Sequence, residues 1–176
     1  LDLTGNAVDN RNGLLGSEQA VTARVNTLTN GGGSLKSGGA MNLDAATLDN
    51  ANGILGAGND LSIHAGKLDN QQGVMVSGGR GAIAAGTLDN RAGQLAAQQA
   101  LTLGGDSINN DEGGLIQSGD ALTVEAGELT NRRSGDKGGI TSLGEMTLTT
   151  GTFANNDGVT LAGKSLTLNS GTLDNT

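Results

Sequence analysis

The chain has 176 residues, a net charge of −8 and 32 glycines, and Phe153 is its only aromatic residue. It has no cysteine, which excludes disulfide bonds and thiolate metal sites. Its scattered acidic residues and lack of a basic stripe argue against nucleic acid as a partner, and no apolar run reaches the roughly 20 residues of a membrane span. A core without large aromatic side chains needs many thin aliphatic layers, so the composition predicts a repeat.

An asparagine recurs along the whole chain, usually as the last residue of Leu-Asp-Asn or a close variant. The spacing from Asn10 to Asn30 is kept at every later step, except for one additional residue before Asn131 and four before Asn155. Asparagine tolerates left-handed backbone, and its amide both donates and accepts hydrogen bonds. We therefore predict a structural ladder inside the fold. Its members are Asn10, Asn30, Asn50, Asn70, Asn90, Asn110, Asn131, Asn155 and Asn175.

Within each repeat, apolar residues alternate with small or polar ones in two short stretches. In the repeat that begins at Asn50, the first stretch contains Leu55 and the second contains Leu61 and Ile63. A period of two predicts strands. We expect two or three strands of three to five residues per repeat, separated by three corners. Glycines three and sixteen residues after the asparagine, such as Gly53 and Gly66, are predicted to form corners through positive φ angles.

Strands this short are stable only when the same strand of the next repeat stacks beside them. The sequence therefore predicts an all-β fold, a right-handed parallel β-helix of about 8.5 coils with about 20 residues per coil. Residues 1–176 form one array, which we expect to be part of a longer one. A leucine-rich repeat is disfavoured because Leu61-x-Ile63 is followed by asparagine only at Asn70. The coils begin near Asn10, Asn30, Asn50, Asn70, Asn90, Asn110, Asn131 and Asn155.

The pattern Leu-Asp-Asn-x-x-Gly-x-Leu-x-Ala, followed by Leu-Thr-Leu and Ala-Gly-Thr-Leu-Asp-Asn, covers essentially the whole chain. It resembles the haemagglutinin repeat of filamentous haemagglutinin and of contact-dependent growth inhibition exoproteins. Gly81, Ala23 and Thr160 depart from the aliphatic residues usual at their places. The resemblance implies an exoprotein secreted to the Gram-negative cell surface by two-partner secretion through an outer-membrane transporter, with the repeats forming a shaft.

The predicted function is accordingly a structural shaft of an adhesin or toxin-delivery filament, with no enzymatic activity and no cofactor. An alternative is a segment that binds a host or bacterial surface receptor or an anionic glycan. The four-residue insertion in residues 132–137 is the candidate binding loop, because insertions into solenoids commonly carry binding functions. The loop residues are Arg132, Arg133, Asp136 and Lys137.

A third hypothesis is a polysaccharide-degrading β-helix enzyme that uses the aligned carboxylates of Asp49, Asp69 and Asp89, which are also candidates for cation binding. The same position carries Thr29 and Ala154 in other repeats, which favours a turn residue instead. The only histidine, His64, is expected to point outward. No catalytic or metal-binding residue is predicted. Unpaired strand edges at the two ends predict end-to-end association of the isolated chain.

Overall fold

The computed structural model describes all 176 residues, as strands and turns without any helix. No helix is therefore present that has the length and apolar character to cross a membrane. Long and short strands alternate along the chain. The long strands are β1 Asp2–Asp9, β3 Val21–Thr29, β5 Met41–Asp49, β7 Leu61–Asp69, β9 Gly81–Asp89, β11 Leu101–Asn109, β13 Leu122–Thr130, β15 Met146–Ala154 and β17 Leu166–Asp174. The short strands are β2 Leu14–Ser17, β4 Ser34–Ser37, β6 Ile54–Ala57, β8 Val74–Ser77, β10 Gln94–Ala97, β12 Leu115–Ser118, β14 Gly139–Ser142 and β16 Thr160–Ala162.

The long strands form one parallel sheet and the short strands form a second, each in the order of the sequence. Every strand pairs with its equivalent in the neighbouring coils. Leu48, for example, pairs with Leu68, which pairs with Leu88. Each pairing partner is therefore one full repeat away in the sequence. The fold is a parallel β-helix whose coil length equals the sequence repeat, which confirms the predicted fold class.

The interior of the coil is lined by columns of aliphatic side chains. Leu28, Leu48 and Leu68 of one column are completely buried, and the column continues to Phe153, which is 3% exposed. Alternation along the strand turns one residue inward and the next outward, so each buried leucine contacts its equivalents in the coils above and below. Burying one such side chain contributes roughly 1.5–3 kcal/mol before the entropy of ordering is counted.

The predicted number of strands is confirmed at two per coil, but the predicted length of three to five residues is wrong for one of them. Each coil has one short strand and one long strand, and the long strand continues through the expected corner. At that corner, the pairing of β5 with β7 omits Ala46 and Gly66, and two successive residues in each strand are exposed. The bend therefore needs only a local break in pairing. Gly66 does not have a positive φ angle, and Ala46 and Asp106 occupy the same corner in other coils.

The glycine three residues after the asparagine also has a different role from the one predicted. Positive φ angles occur one residue earlier, at Asn52 (57°), Gln72 (55°) and Ala92 (54°). Gly53 instead has no room for a side chain. A Cβ atom there would lie 2.2 Å from the backbone oxygen of Asn30 and 2.6 Å from Asn50 Oδ1, both inside van der Waals contact. This glycine is therefore required by close packing against the asparagines.

Both length variations lie at the corner between the asparagine and the next short strand. The coil from Asn110 has the additional residue Gly113 (φ 82°), and the coil from Asn131 has four additional residues. Beyond them, Gln94 pairs with Leu115, and Leu115 pairs with Gly139. The strand register is therefore unaffected by either insertion.

Two glycines in one coil provide a test of this packing argument. Gly53→Ala is expected to lower the free energy of unfolding by about 3 kcal/mol, because the new methyl group overlaps the backbone oxygen of Asn30 and the buried amide of Asn50. Gly56→Ala is the matched control. Its Cβ atom would meet only Lys36 Cγ at 3.7 Å and Val76 Cγ2 at 3.9 Å. Urea unfolding should show the control unchanged or stabilised by up to about 1 kcal/mol. Equal effects of the two substitutions would contradict the packing argument.

Candidate functional site

The nine asparagines lie at one interior corner of the coil. Asn30, Asn50, Asn70 and Asn90 are completely buried. Each side-chain amide nitrogen donates a hydrogen bond to the side-chain oxygen of the next asparagine along the chain, at 2.7–2.8 Å over all eight steps. The asparagines thus form one unbroken hydrogen-bonded ladder through the molecule.

The ladder is also bonded to the backbone at the start of the short strands. Asn70 Nδ2 donates to the carbonyl oxygen of Gln94 at 3.1 Å and more weakly to that of Gly73 at 3.3 Å. Its Oδ1 accepts from Asn50 Nδ2 at 2.8 Å. A buried primary amide has two N–H donors and a carbonyl acceptor, and this site uses all of them. Leucine would fill the space but leave these buried carbonyl groups without donors.

The aspartates that precede the ladder residues are turn residues in the structure. Asp49 Oδ1 accepts a hydrogen bond from the backbone N–H of Ala51 at 2.9 Å, and Asp69 Oδ1 accepts from that of Gln71 at 2.9 Å. Asp89 accepts from the backbone and side chain of Arg91. These contacts are Asx-turns that fix the corner locally. No group of three or more His, Asp or Glu side chains is arranged to hold a metal ion.

Arginine pairs with this aspartate column at two coils. The guanidinium of Arg11 donates to the carboxylate of Asp9 at 2.6 Å, and this hydrogen bond lowers the pKa of Asp9 to about 2. Arg91 contacts Asp89 in the same way at 2.7 Å, which raises the pKa of Arg91. These pairs are largely exposed, so their contribution to stability is small.

The candidate binding loop packs back onto the preceding coil. Arg133 forms an ion pair with Glu112, and Arg132 Nη1 lies 3.9 Å from Asp111 Oδ2. The Arg132 backbone N–H also donates to Asp111 Oδ1 at 2.7 Å. Both guanidinium groups therefore face carboxylates of their own chain. Binding of an anionic glycan by this loop stays a prediction, and these ion pairs weaken its electrostatic basis.

Asp136 and Lys137 are the exposed residues at the tip of the loop. Lys137 forms no ion pair within the chain.

His64 lies on the outer surface of the long sheet, with its Nδ1 3.4 Å from Asp44 Oδ1. Its side chain is 77% exposed, and no serine hydroxyl is hydrogen-bonded to it. His64 therefore has no neighbouring nucleophile that it could activate as a general base.

Ser134 is a structural residue of the loop that the sequence analysis did not identify. It is 1% exposed, and its Oγ accepts a hydrogen bond from the backbone N–H of Val159 at 3.1 Å. In regular coils that N–H donates to the backbone of the preceding coil, as Ile54 does to the carbonyl oxygen of Gly33. The Ser134 side chain thus replaces a backbone acceptor that the insertion displaces. Its only sequence signal was a serine within the insertion.

Serines at the other end of the short strands were also not identified as functional. Ser37 Oγ donates to the carbonyl oxygen of Gly39 at 2.9 Å, and Ser118 Oγ donates to that of Asp120 at 2.9 Å. Ser77 and Ser142 make the same contact at longer distances. Each is buried and caps the second corner of its coil. Their sequence signal is a serine two residues after an inward aliphatic residue, as in Met75-x-Ser77 and Ile116-x-Ser118.

The fold and the ladder together define a repetitive structural protein. The haemagglutinin repeat family model matches residues 1–52, 43–105 and 76–176, and so covers the whole chain. The chain belongs to the haemagglutinin repeat family, a family of structural repeats found in secreted and surface exoproteins. This confirms the resemblance seen in the sequence. Comparison with curated proteins and with solved structures finds no match.

Substitution of a central ladder residue tests its contribution. Asn70→Ala is expected to lower the free energy of unfolding by about 3–5 kcal/mol, because it leaves Asn90 Oδ1 and the Gln94 carbonyl without their donor and opens a cavity. The control is Gln99→Ala, an exposed amide whose loss should change stability by less than about 0.5 kcal/mol. Denaturant unfolding followed by circular dichroism measures both. A loss below about 1 kcal/mol for Asn70→Ala would argue against the ladder as a stabilising element.

Ser134 provides a separate test at the insertion. Ser134→Ala removes the hydrogen-bond acceptor of the Val159 N–H and should destabilise the chain by about 1 kcal/mol. Hydrogen exchange should be accelerated at Val159 and remain slow at Ile54, whose N–H keeps its backbone acceptor. Asp136→Ala, at the exposed tip of the same loop, is the control and should leave both rates unchanged.

Proposed function

We propose that this chain is a spacer shaft of an adhesin or contact-dependent toxin-delivery exoprotein on a Gram-negative cell surface. The observation that carries the proposal is the unbroken stacking of equivalent strands, with the asparagine ladder running through every coil. Each coil contacts only its neighbours, so the length of the molecule increases by about 4.8 Å with every coil. A molecule of this kind can span a distance by repeating one short sequence pattern.

The side-chain chemistry also supports a spacer. Except for the buried Asp111, the titratable side chains lie on the outer surface, some of them in isolated pairs such as Arg11 with Asp9. No three His, Asp or Glu side chains form a group that could hold a metal ion. The polar residues that are buried serve the corners of the coil, as the asparagine and serine columns do. The buried polar side chains of this chain therefore maintain its shape.

We further propose that the parent exoprotein uses an outer-membrane transporter of two-partner secretion, as the family suggests. A fold built from successive identical coils suits export of an extended chain, because each coil completes its hydrogen bonds on the coil formed before it. The absence of cysteine agrees with passage through an oxidising compartment, where thiols form disulfide bonds.

Deletion of a whole coil tests the spacer function. Removal of residues 71–90 joins Asn70 to Arg91 and keeps the repeat, so the chain should fold and its maximum dimension in small-angle scattering should decrease by about 4.8 Å. The control is deletion of residues 71–80, which removes half a coil and should abolish cooperative unfolding. Loss of folding in the whole-coil deletion would contradict a modular shaft.

Binding measurements on the original chain and on the whole-coil deletion distinguish a spacer from a binding segment. A spacer should show no saturable binding to heparin or to cultured cells. Saturable binding that is lost in Arg132→Ala with Arg133→Ala would overturn the spacer proposal and assign the candidate binding loop a receptor. The whole-coil deletion leaves that loop intact, so it serves as a control for correct folding.

A further inference from the structure

The outer surface of the short sheet differs from the rest of the molecule in its charge. It is formed by positions 4, 6 and 8 of each coil, counted from the coil's asparagine and aligned by strand pairing where the coils contain insertions. We call this surface the short-sheet face. From the third coil, which begins at Asn50, to the eighth, the face carries no charged residue, although the chain has 10 basic and 18 acidic residues. Its residues there are Ile54, Gly56, Gly58, Val74, Val76, Gly78, Gln94, Ala96, Gln98, Leu115, Gln117, Gly119, Gly139, Thr141, Leu143, Val159, Leu161 and Gly163.

Exposed large apolar side chains are concentrated on the same face. Eight such residues are exposed in the chain, and five of them lie here: Leu14, Ile54, Leu143, Val159 and Leu161. The other three lie in or beside the first and last long strands, where no further coil covers them. An apolar surface without charges is typical of the centre of a protein interface.

The face contains both a ridge and a groove. Leu143 is 69% exposed and stands at one end of a groove of about 730 Å³. The floor of the groove includes Gly58, Gly78 and Gly119, which share position 8 with Leu143. One position of the coil therefore presents a leucine in the seventh coil and open space in the third, fourth and sixth coils.

A second copy of the chain fits this arrangement in one register. A two-fold axis in the plane of the face, perpendicular to the β-helix axis, reverses the order of the coils and places each position opposite itself. Leu143 of one copy then lies opposite Gly78 of the other when the fourth coil faces the seventh. The same register places Leu161 of the eighth coil opposite Gly56 of the third coil. In both pairs, a projecting leucine faces a glycine.

The charges beside the face are complementary in this register. Position 10 places Arg80 of the fourth coil opposite Glu145 of the seventh. Asp60 of the third coil faces the eighth coil beside Lys164. All four side chains are exposed, and none forms an ion pair within its own chain. Opposite charges thus meet at the edge of an uncharged centre. This is an independent observation, because the register was set by Leu143 and Gly78 and not by the charges.

We propose that the chain pairs laterally with a second copy through the short-sheet face, as an antiparallel two-fold dimer in which the third coil faces the eighth. Six coils at about 4.8 Å, each about 15 Å wide, bury roughly 400 Å² per copy, half of the roughly 800 Å² of a standard interface. The dimer is therefore weak, with a dissociation constant on the order of 100 μM. This inference goes beyond the spacer function and does not depend on it.

A disulfide cross-link tests the register directly, because the chain has no cysteine of its own. Ile54→Cys combined with Val159→Cys places two thiols opposite each other in the proposed dimer, at position 4 of the third and eighth coils. Within one chain they are five coils apart, about 24 Å, which excludes an intramolecular bond. Oxidation should give a covalent dimer with the 54 to 159 linkage in mass spectrometry. The mismatched control, Val74→Cys with Val159→Cys, should cross-link at least tenfold more slowly.

Charge reversal provides an independent measurement that does not alter the apolar centre. Sedimentation equilibrium between about 10 μM and about 1 mM should show a monomer and dimer in the original chain. Arg80→Glu should weaken the dimer two- to tenfold, and Arg80→Glu combined with Glu145→Arg should restore it. Leu143→Asp should weaken it at least tenfold, whereas Thr102→Asp on the exposed face of the long sheet should have no effect.

Three results would overturn the proposal. The first is a chain that remains monomeric throughout this concentration range. The second is polymers unaffected by Leu143→Asp, which would assign the association to the ends of the β-helix. The third is a monomer that sediments with phosphatidylcholine vesicles in a Leu143-dependent manner, which would assign the face to lipid. Coil deletion and cell binding are measured separately, so these outcomes leave the test of the spacer function unaffected.

Discussion

The hydrogen bond between successive asparagine side chains is the interaction on which the rest of the structure depends. Each bond joins equivalent asparagines of neighbouring coils and places them at the same interior corner, so the strands that lead from one asparagine to the next must keep their register. A coil one residue longer within its strands would carry the asparagine away from its partner and turn the inward leucines outward. Length changes are tolerated only where they bypass this bond, at the corner occupied by Gly113 and by residues 134–137.

The close approach of the backbone to the ladder explains the composition of the corner. Outside the coil with the four-residue insertion, Gly53 and its equivalents lie against the asparagine amides. The residue two positions after each asparagine from Asn10 to Asn155 adopts left-handed backbone regardless of its type. The corner is held by side-chain to backbone hydrogen bonds on both sides, from Asp49 before the ladder and Asn50 within it. Small or polar inward-facing residues thus stabilise the corner, as the packed leucines stabilise the strands.

The sequence was sufficient for the features that repeat, because a periodic pattern samples the same physical environment many times. The parallel β-helix, the inward leucine columns and the location of both insertions all follow from it. The continuity of the long strand did not, since exposed residues such as Ala46 and Gly66 resemble a turn in sequence and form only a bend in the structure. The role of Ser134 was not predictable either, because it occurs once and depends on which N–H the insertion leaves without an acceptor.

The direction of the ladder has a consequence for assembly. Each asparagine from Asn10 to Asn155 donates to the next one toward the carboxyl end, and each from Asn30 to Asn175 accepts from the one before it. The side-chain dipoles therefore all point the same way, and the molecule has a chemical polarity along its axis. A coil added in the opposite sense would bring donor against donor or acceptor against acceptor. The two ends of the ladder therefore differ in chemistry, with an amide donor at the carboxyl end and an amide acceptor at the amino end, even where the leucine columns are the same.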